Sequence, residues 1–240
     1  MTGPATVLEM RNLSVGYYRD LNILCDLYIK ARQGQITTIL GANGVGKSTA
    51  LKAAFGFLAP NKGDILLEGA SILGIPPEEK ILKGLAYIPQ QPGVFKDMTV
   101  EENLELGGWT FRRDRKQVRD KIEANYLRFP ALRDKRRQVT GELSGGQQRM
   151  VEIGRTLMSE PRMLLVDEPT AGLSKRLAEE VYAMLLDLAR IDGLTILLVD
   201  QEIRHALKIA DYVYVLELGR NKFEGPASEF TDLEKAFWVA

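Results

Sequence analysis

The chain has 240 residues, 45% of them apolar, with 32 Lys plus Arg against 32 Asp plus Glu. The apolar share excludes a disordered composition, and the charge balance removes any bulk electrostatic case for a nucleic-acid partner. A single cysteine, Cys25, excludes an internal disulfide or a cysteine metal cluster, and a single histidine, His205, argues against a histidine metal site.

In chain order, residues 1–10 lack the apolar core of a signal peptide. Residues 7–13 and 21–29 read as strands around a turn, with Cys25 a small apolar residue of the second. Residues 35–40 are β-branched and apolar, a buried strand. A helix is predicted over 48–57, with Leu51, Ala54 and Phe55 on one face. Pro60-Asn61-Lys62-Gly63 is a turn leading into a strand over 64–68, so an antiparallel sheet is expected beside the core. Pro77 opens a short helix, and 85–88 is a strand ended by Pro89.

The middle is helical. Thr99 and Glu102 form a capping box. A helix over 114–129 carries Val118, Ile122, Tyr126 and Phe129 along one stripe and a solvated charged face opposite. A third helix, over 144–158, carries Met150, Val151, Ile153 and Leu157. These three helices, roughly 92–158, are expected to form a lobe inserted in one domain spanning 1–240. Alternation then returns: a strand over 163–167, a helix over 174–191 with Leu177, Val181, Leu185 and Leu188 inward, a strand over 195–200, a helix over 202–210 and a strand over 212–218. The fold class is therefore α/β with a mainly parallel, helix-covered sheet.

Gly41-Ala42-Asn43-Gly44-Val45-Gly46-Lys47-Ser48-Thr49 fills every position of the phosphate-binding P-loop pattern, between a predicted strand and a predicted helix. Successive N–H groups of such a turn and the positive helix end together bind an anion. Lys47 would reach the β- and γ-phosphates, and Ser48 would hold Mg²⁺. The strand over 163–167 ends in two carboxylates, Asp167 and Glu168. Asp167 is placed to hold Mg²⁺, and Glu168 to orient or deprotonate water. Leu143-Ser144-Gly145-Gly146-Gln147 is both a capping box and, through its bare glycine N–H groups, a second phosphate site. One nucleotide does not need two such sites in one chain, so a head-to-tail pair of subunits is expected.

These three motifs, in this order, resemble the nucleotide-binding subunit of an ABC transporter over essentially the whole chain. The resemblance implies a P-loop NTPase core with an N-terminal antiparallel β subdomain and an inserted helical subdomain, using ATP and Mg²⁺. It assigns Tyr17, with Tyr18 as competitor, to adenine stacking. It makes Gln90 the loop glutamine that contacts Mg²⁺ or water, with Gln91 as a plain loop amide. It brings Ser144, Gly145, Gly146 and Gln147 to the opposite subunit's nucleotide. In residues 171–174 Ser174 replaces the family's usual Asp, and it is equally readable as a helix cap. Gln201 stands where the family has a switch histidine, and His205 lies about one helical turn later. Gln201 can donate an amide hydrogen bond but cannot become an imidazolium.

Gln201, residues 129–132 and the spacing to Leu143 are similar to the second ATP-binding subunit of branched-chain amino-acid importers, a group also serving urea and short amides. This implies partners: membrane subunits, a related non-identical ATPase and, indirectly, an external substrate-binding protein, with no nucleic acid. No apolar run approaches the ~20 residues that span a bilayer. The chain is expected to be soluble when isolated and peripheral at the cytoplasmic face of the inner membrane. Val94, Phe95 and Met98 are candidates for the wall of a groove for the membrane subunit, or for packing of the lobe. A soluble ABC ATPase and an ATP-binding regulatory subunit with little hydrolysis stay open as alternatives.

Overall fold

The computed structural model describes residues 4–18 and 21–230. The C-terminal Phe237 and Trp238, and part of the first predicted turn, lie outside the described residues. The first half holds β1 (Thr6–Val15), β2 (Leu24–Arg32), β3 (Ile36–Leu40), α1 (Lys47–Phe55), β4 (Lys62–Leu67), β5 (Ala70–Ser71), α2 (Pro77–Leu82) and β6 (Leu85–Ile88). Four helices follow: α3 (Val100–Gly107), α4 (Arg115–Arg128), α5 (Pro130–Asp134) and α6 (Gly145–Leu157). The chain continues with β7 (Met163–Asp167), α7 (Lys175–Arg190), β8 (Thr195–Val199), α8 (Ile203–Ile209), β9 (Tyr212–Glu217) and β10 (Arg220–Pro226).

The strands form a four-stranded antiparallel sheet, β2-β1-β4-β5, and a six-stranded sheet, β10-β9-β3-β8-β7-β6. Only β10 runs antiparallel in the larger sheet. Strands β3, β7 and β8 are buried at every residue, as crossover helices on a parallel sheet require. Alternation divides each between two cores. Leu164 and Val166 of β7 pack with the helical lobe, α7 and α8. Met163 and Leu165 pack with α1 and the antiparallel sheet, against Met10, Leu27, Leu51 and Ala54.

The helical lobe has four α-helices rather than the three expected. Pro130 sits in the first turn of α5, where its missing N–H breaks no bond, so a short helix starts directly after Phe129. Both capping boxes form, at Thr99 and at Ser144. Strand β10 was also not expected. Its residues are mostly exposed, and Arg220, Lys222 and Glu224 are charged, so it lacks the apolar alternation of a strand.

The parallel register aligns the strands' carboxyl ends. Ile39 and Asp167 both pair with Val199, and Ile88 pairs with Val166. The loops after β3, β6, β7 and β8 therefore leave the sheet side by side, where open α/β sheets place their ligands.

Candidate active site

The loop after β3 turns into α1 at Gly46, whose φ of 103° lies in the left-handed region. An added Cβ there would stand 2.5 Å from Leu24 Cδ2 and 3.1 Å from Ile23 Cγ2, so only glycine fits. Gly46 makes no side-chain cap, which leaves the first-turn N–H groups of α1 without a cap acceptor. Lys47 is buried and folds over the loop, donating to Gly41 O at 2.9 Å and Ala42 O at 3.1 Å. Burial pushes its ammonium pKa down, against the pull of Glu168, Asp167 and Asp200.

Ser48 Oγ donates to Asp167 Oδ1 at 2.7 Å, joining the loop helix to the end of β7. The other Asp167 oxygen accepts from Tyr87 of β6 at 3.1 Å. Burial, then the Asp167 charge, raises the Tyr87 pKa and keeps it a phenol donor. Its ring lies 5.5 Å from Phe55 and 5.6 Å from Phe57, which fixes its direction.

Glu168 is buried and has a left-handed φ of 42°, uncommon outside glycine. Its N–H bonds Val199 O at 2.8 Å. Its Oε2 accepts from Gln90 Nε2 at 2.7 Å and also from Gln201 Nε2. Asp200, buried beside Gln201, accepts the N–H groups of Gln201 at 2.7 Å and Glu202 at 3.0 Å. Burial raises its pKa, while these bonds and Tyr182 oppose the rise. Tyr182 of α7 donates to Asp200 at 2.8 Å and lies 3.1 Å from the Thr170 hydroxyl. His205 stacks on Tyr182 with ring centroids 5.4 Å apart, and it does not take the place of Gln201 on Glu168.

The predicted residues thus fall into two groups. Residues 41–49, Gln90, Asp167, Glu168 and Gln201 meet at the strand ends. The 144–147 turn instead packs on the start of α7 and the segment before it: a Cβ at Gly145 would lie 3.3 Å from Leu173, and one at Gly146 2.7 Å from Leu177. Ser174 occupies the cap position of α7 but accepts no cap bond. A cavity of about 540 Å³ opens beside Glu168, lined by Gly172, Leu173, Gln201 and His205 among others. Tyr17 and Tyr18, 54% and 75% exposed, precede the Ile23 and Leu24 that back the Gly46 turn. Val94 is buried in the lobe, whereas Phe95 is 53% exposed, with the Arg155 guanidinium 5.4 Å from its ring.

Tyr87, Tyr182, Arg149 and Glu152 were not singled out from the sequence. Two tyrosines in apolar stretches read as core. Arg149 and Glu152 did leave a signal: opposite charges three apart on the stripe begun by Gly146, which faces inward.

Residues 24–171 match the family model described as "ABC transporter". A probable branched-chain amino acid transport ATP-binding protein, LivF of Archaeoglobus fulgidus, is 39% identical over 95% of this chain and 96% of its own length. The high-affinity branched-chain amino acid transport ATP-binding protein BraG of Pseudomonas aeruginosa is 40% identical over 85% of this chain and 86% of its own. The crystal structure of an ATP-binding cassette of an ABC transporter in its ADP conformation superposes with a TM-score of 0.82 and 30% identity, covering 93% of this chain and 92% of that one. With its P-loop fold and its serine and carboxylates gathered at the strand ends, the chain belongs to the ABC transporter family and is an ATP-binding cassette, an ATPase.

Proposed function

We propose that this chain is one of the ATPase subunits of a membrane importer for branched-chain amino acids or similar small polar solutes. The observation that carries the ATPase site is the set of bonds from Ser48 to Asp167 and from Gln90 and Gln201 to Glu168. The transported class is suggested by the names of LivF and BraG.

The residues fit a magnesium triphosphate. A glycine turn with a bare helix end and a buried ammonium suits the phosphates. The Ser48 hydroxyl and the Asp167 carboxylate are hard oxygen donors already 2.7 Å apart, suited to Mg²⁺. Gly41, Asn43, Gly44, Val45, Gly46, Lys47, Ser48 and Thr49 would cradle the phosphates, and Tyr17 would stack on the base. Ser48 and Asp167, with Gln90 at the edge, would hold the metal. When bound, Mg²⁺ neutralises charge developing on the transferred phosphoryl group. Glu168 would orient the attacking water and take its proton, while Gln90 and Gln201 hold the carboxylate in place. Ser144, Gly145, Gly146 and Gln147 would close over the nucleotide of a second ATPase subunit, giving a head-to-tail pair.

No described helix is long and apolar enough to cross a membrane, so attachment at the cytoplasmic face would run through membrane subunits, with exposed Phe95 as a contact. The test is Mg-ATP turnover and self-association of the purified chain beside Glu168→Gln. Turnover that rises with concentration and vanishes in the variant indicates a working homodimer. ATP binding without turnover or dimerisation indicates a chain that requires a non-identical ATPase and the membrane subunits. No ATP binding at all overturns the reading.

A further inference from the structure

Another cavity lies where the two sheets meet, at the end of β3 away from the glycine loop. Its volume is about 200 Å³, and residues of β2, β3, β9 and β10 form most of its wall. Thr37, the second residue of β3, is 1% exposed. In register it stands between Leu197 and Tyr212, and both of these, like Ile39, pack with the antiparallel sheet. Residues paired across strands share a face, so the Thr37 side chain points toward β2 and into this cavity. Its hydroxyl is buried and has no hydrogen-bond partner among the described residues. A buried hydroxyl left in this state costs stability until something pairs with it.

Three charged side chains line the same cavity. Lys30 is already paired, 3.4 Å from Glu9. Among the described residues, neither Arg32 nor Glu224 has an ion-pair partner, and the two do not pair with each other. The Arg32 guanidinium lies over Tyr212, 5.7 Å from the ring centroid. Glu224 stands opposite Tyr214 in the register of β9 and β10. The Tyr214 hydroxyl accepts the Lys30 N–H at 3.0 Å, which uses a lone pair and leaves the phenol proton. Burial raises the pKa of both Tyr212 and Tyr214, so both stay neutral donors.

One cation and one anion face this space without neutralising each other. A simple anion there is repelled by Glu224, and a simple cation by Arg32 and Lys30. A ligand carrying both charges satisfies both walls. The volume lies below the roughly 300 Å³ at which pockets for drug-sized ligands begin, which excludes a nucleotide.

We propose that this cavity binds a small apolar α-amino acid as its zwitterion, with the carboxylate on Arg32 and the Thr37 hydroxyl, the ammonium on Glu224, and the side chain against the rings of Tyr212 and Tyr214. The site is separate from the ATPase site, and the proposal depends neither on that site nor on the solute transported.

The test is isothermal titration of the purified chain with L-leucine, beside isoamylamine and isocaproate. These two keep the leucine side chain and lack the carboxylate and the ammonium, respectively. Saturable one-to-one binding of leucine is expected, with each analogue at least tenfold weaker. Arg32→Gln and Glu224→Gln alter exposed side chains and should each weaken leucine at least tenfold while ATP binding is unchanged. Thr37→Val removes the orphan hydroxyl, so it should weaken leucine about fivefold without lowering the melting temperature of the free chain. Absence of leucine binding means that water alone fills the cavity and overturns the proposal. Either analogue binding as tightly as leucine overturns the two-charge recognition. Leucine binding that survives both Arg32→Gln and Glu224→Gln puts the ligand elsewhere and overturns the assignment to this cavity.

Discussion

Gln90 and Gln201, which come from different strand ends, donate to one and the same oxygen of Glu168. Two amide donors on a single carboxylate oxygen leave Oε1 as the one without a glutamine partner, and they hold the side chain in one orientation. Glu168→Gln is expected to lower Mg-ATP turnover by a factor of about 10² to 10⁴, the range for loss of a general base. Nucleotide affinity, measured by equilibrium binding, should stay within a few-fold.

The cost of Gln90→Ala and Gln201→Ala together should differ from the sum of the two single costs by more than about 0.5 kcal/mol, because the two donors share a target and do not act independently. Gln201 also supplies no imidazolium, and we propose that this weakens the link between phosphate sensing and hydrolysis. Gln201→His is therefore expected to raise turnover in the assembled transporter. An unchanged rate in that variant removes the proposed weakness.

Tyr87→Phe keeps the ring between Phe55 and Phe57 and deletes the bond to Asp167. A hydrogen bond worth about 1 kcal/mol corresponds to roughly a fivefold change. The half-saturating Mn²⁺ concentration, followed by electron paramagnetic resonance in the presence of ATP, should rise by about that factor. Apparent melting temperature should move little.

Lys80 of α2 is buried, and its ammonium donates to Ala54 O at 2.9 Å, at the carboxyl end of α1. Burial lowers its pKa to about 8. The unfolded chain holds this proton up to about 10.4. Between these values the unfolded state binds more protons, so stability rises with pH, and the burial penalty is fully present only below pH ~8. The shift corresponds to about 3 kcal/mol, at ~1.4 kcal/mol per unit. Lys80→Met should remove most of the wild-type gain in unfolding free energy between pH 8 and 10.5, measured by urea titration of both proteins. A parallel slope in the two proteins contradicts this.

Phe95→Asp changes an exposed ring and should alter stability by no more than about 0.5 kcal/mol. If Phe95 contacts the membrane subunits, their co-purification is lost while ATP binding remains. Gly145→Asp puts a negative charge on the 144–147 turn with room for its Cβ to adjust against Leu173. Where the Glu168→Gln chain forms a Mg-ATP-dependent dimer in analytical ultracentrifugation, this charge should abolish it without lowering ATP affinity.

What the sequence made legible follows a physical line. The glycine loop, the capping boxes at Thr99 and Ser144 and the acidic end of β7 are local devices, encoded in consecutive residues. The pairing of Tyr87 with Asp167, of Tyr182 with Asp200, and of Arg149 with the carbonyls of Pro89 and Gln90 joins residues far apart in the chain. No periodicity carries such pairings, since each depends on which strand lies beside which. Helix α5 and strand β10 were missed for a different reason: one is five residues long, and the other is too polar to look like a strand.

The two borders of the central sheet have a consequence for how this chain can associate. On one side β10 presents Arg220, Lys222 and Glu224 beside an irregular register with β9. On the other, β6 is only four residues long and stops at Pro89, which has no N–H to offer. Charge, irregularity, shortness and proline are the features by which proteins keep strands of neighbouring molecules from adding on. Growth of the sheet across copies into a continuous ribbon is thereby discouraged.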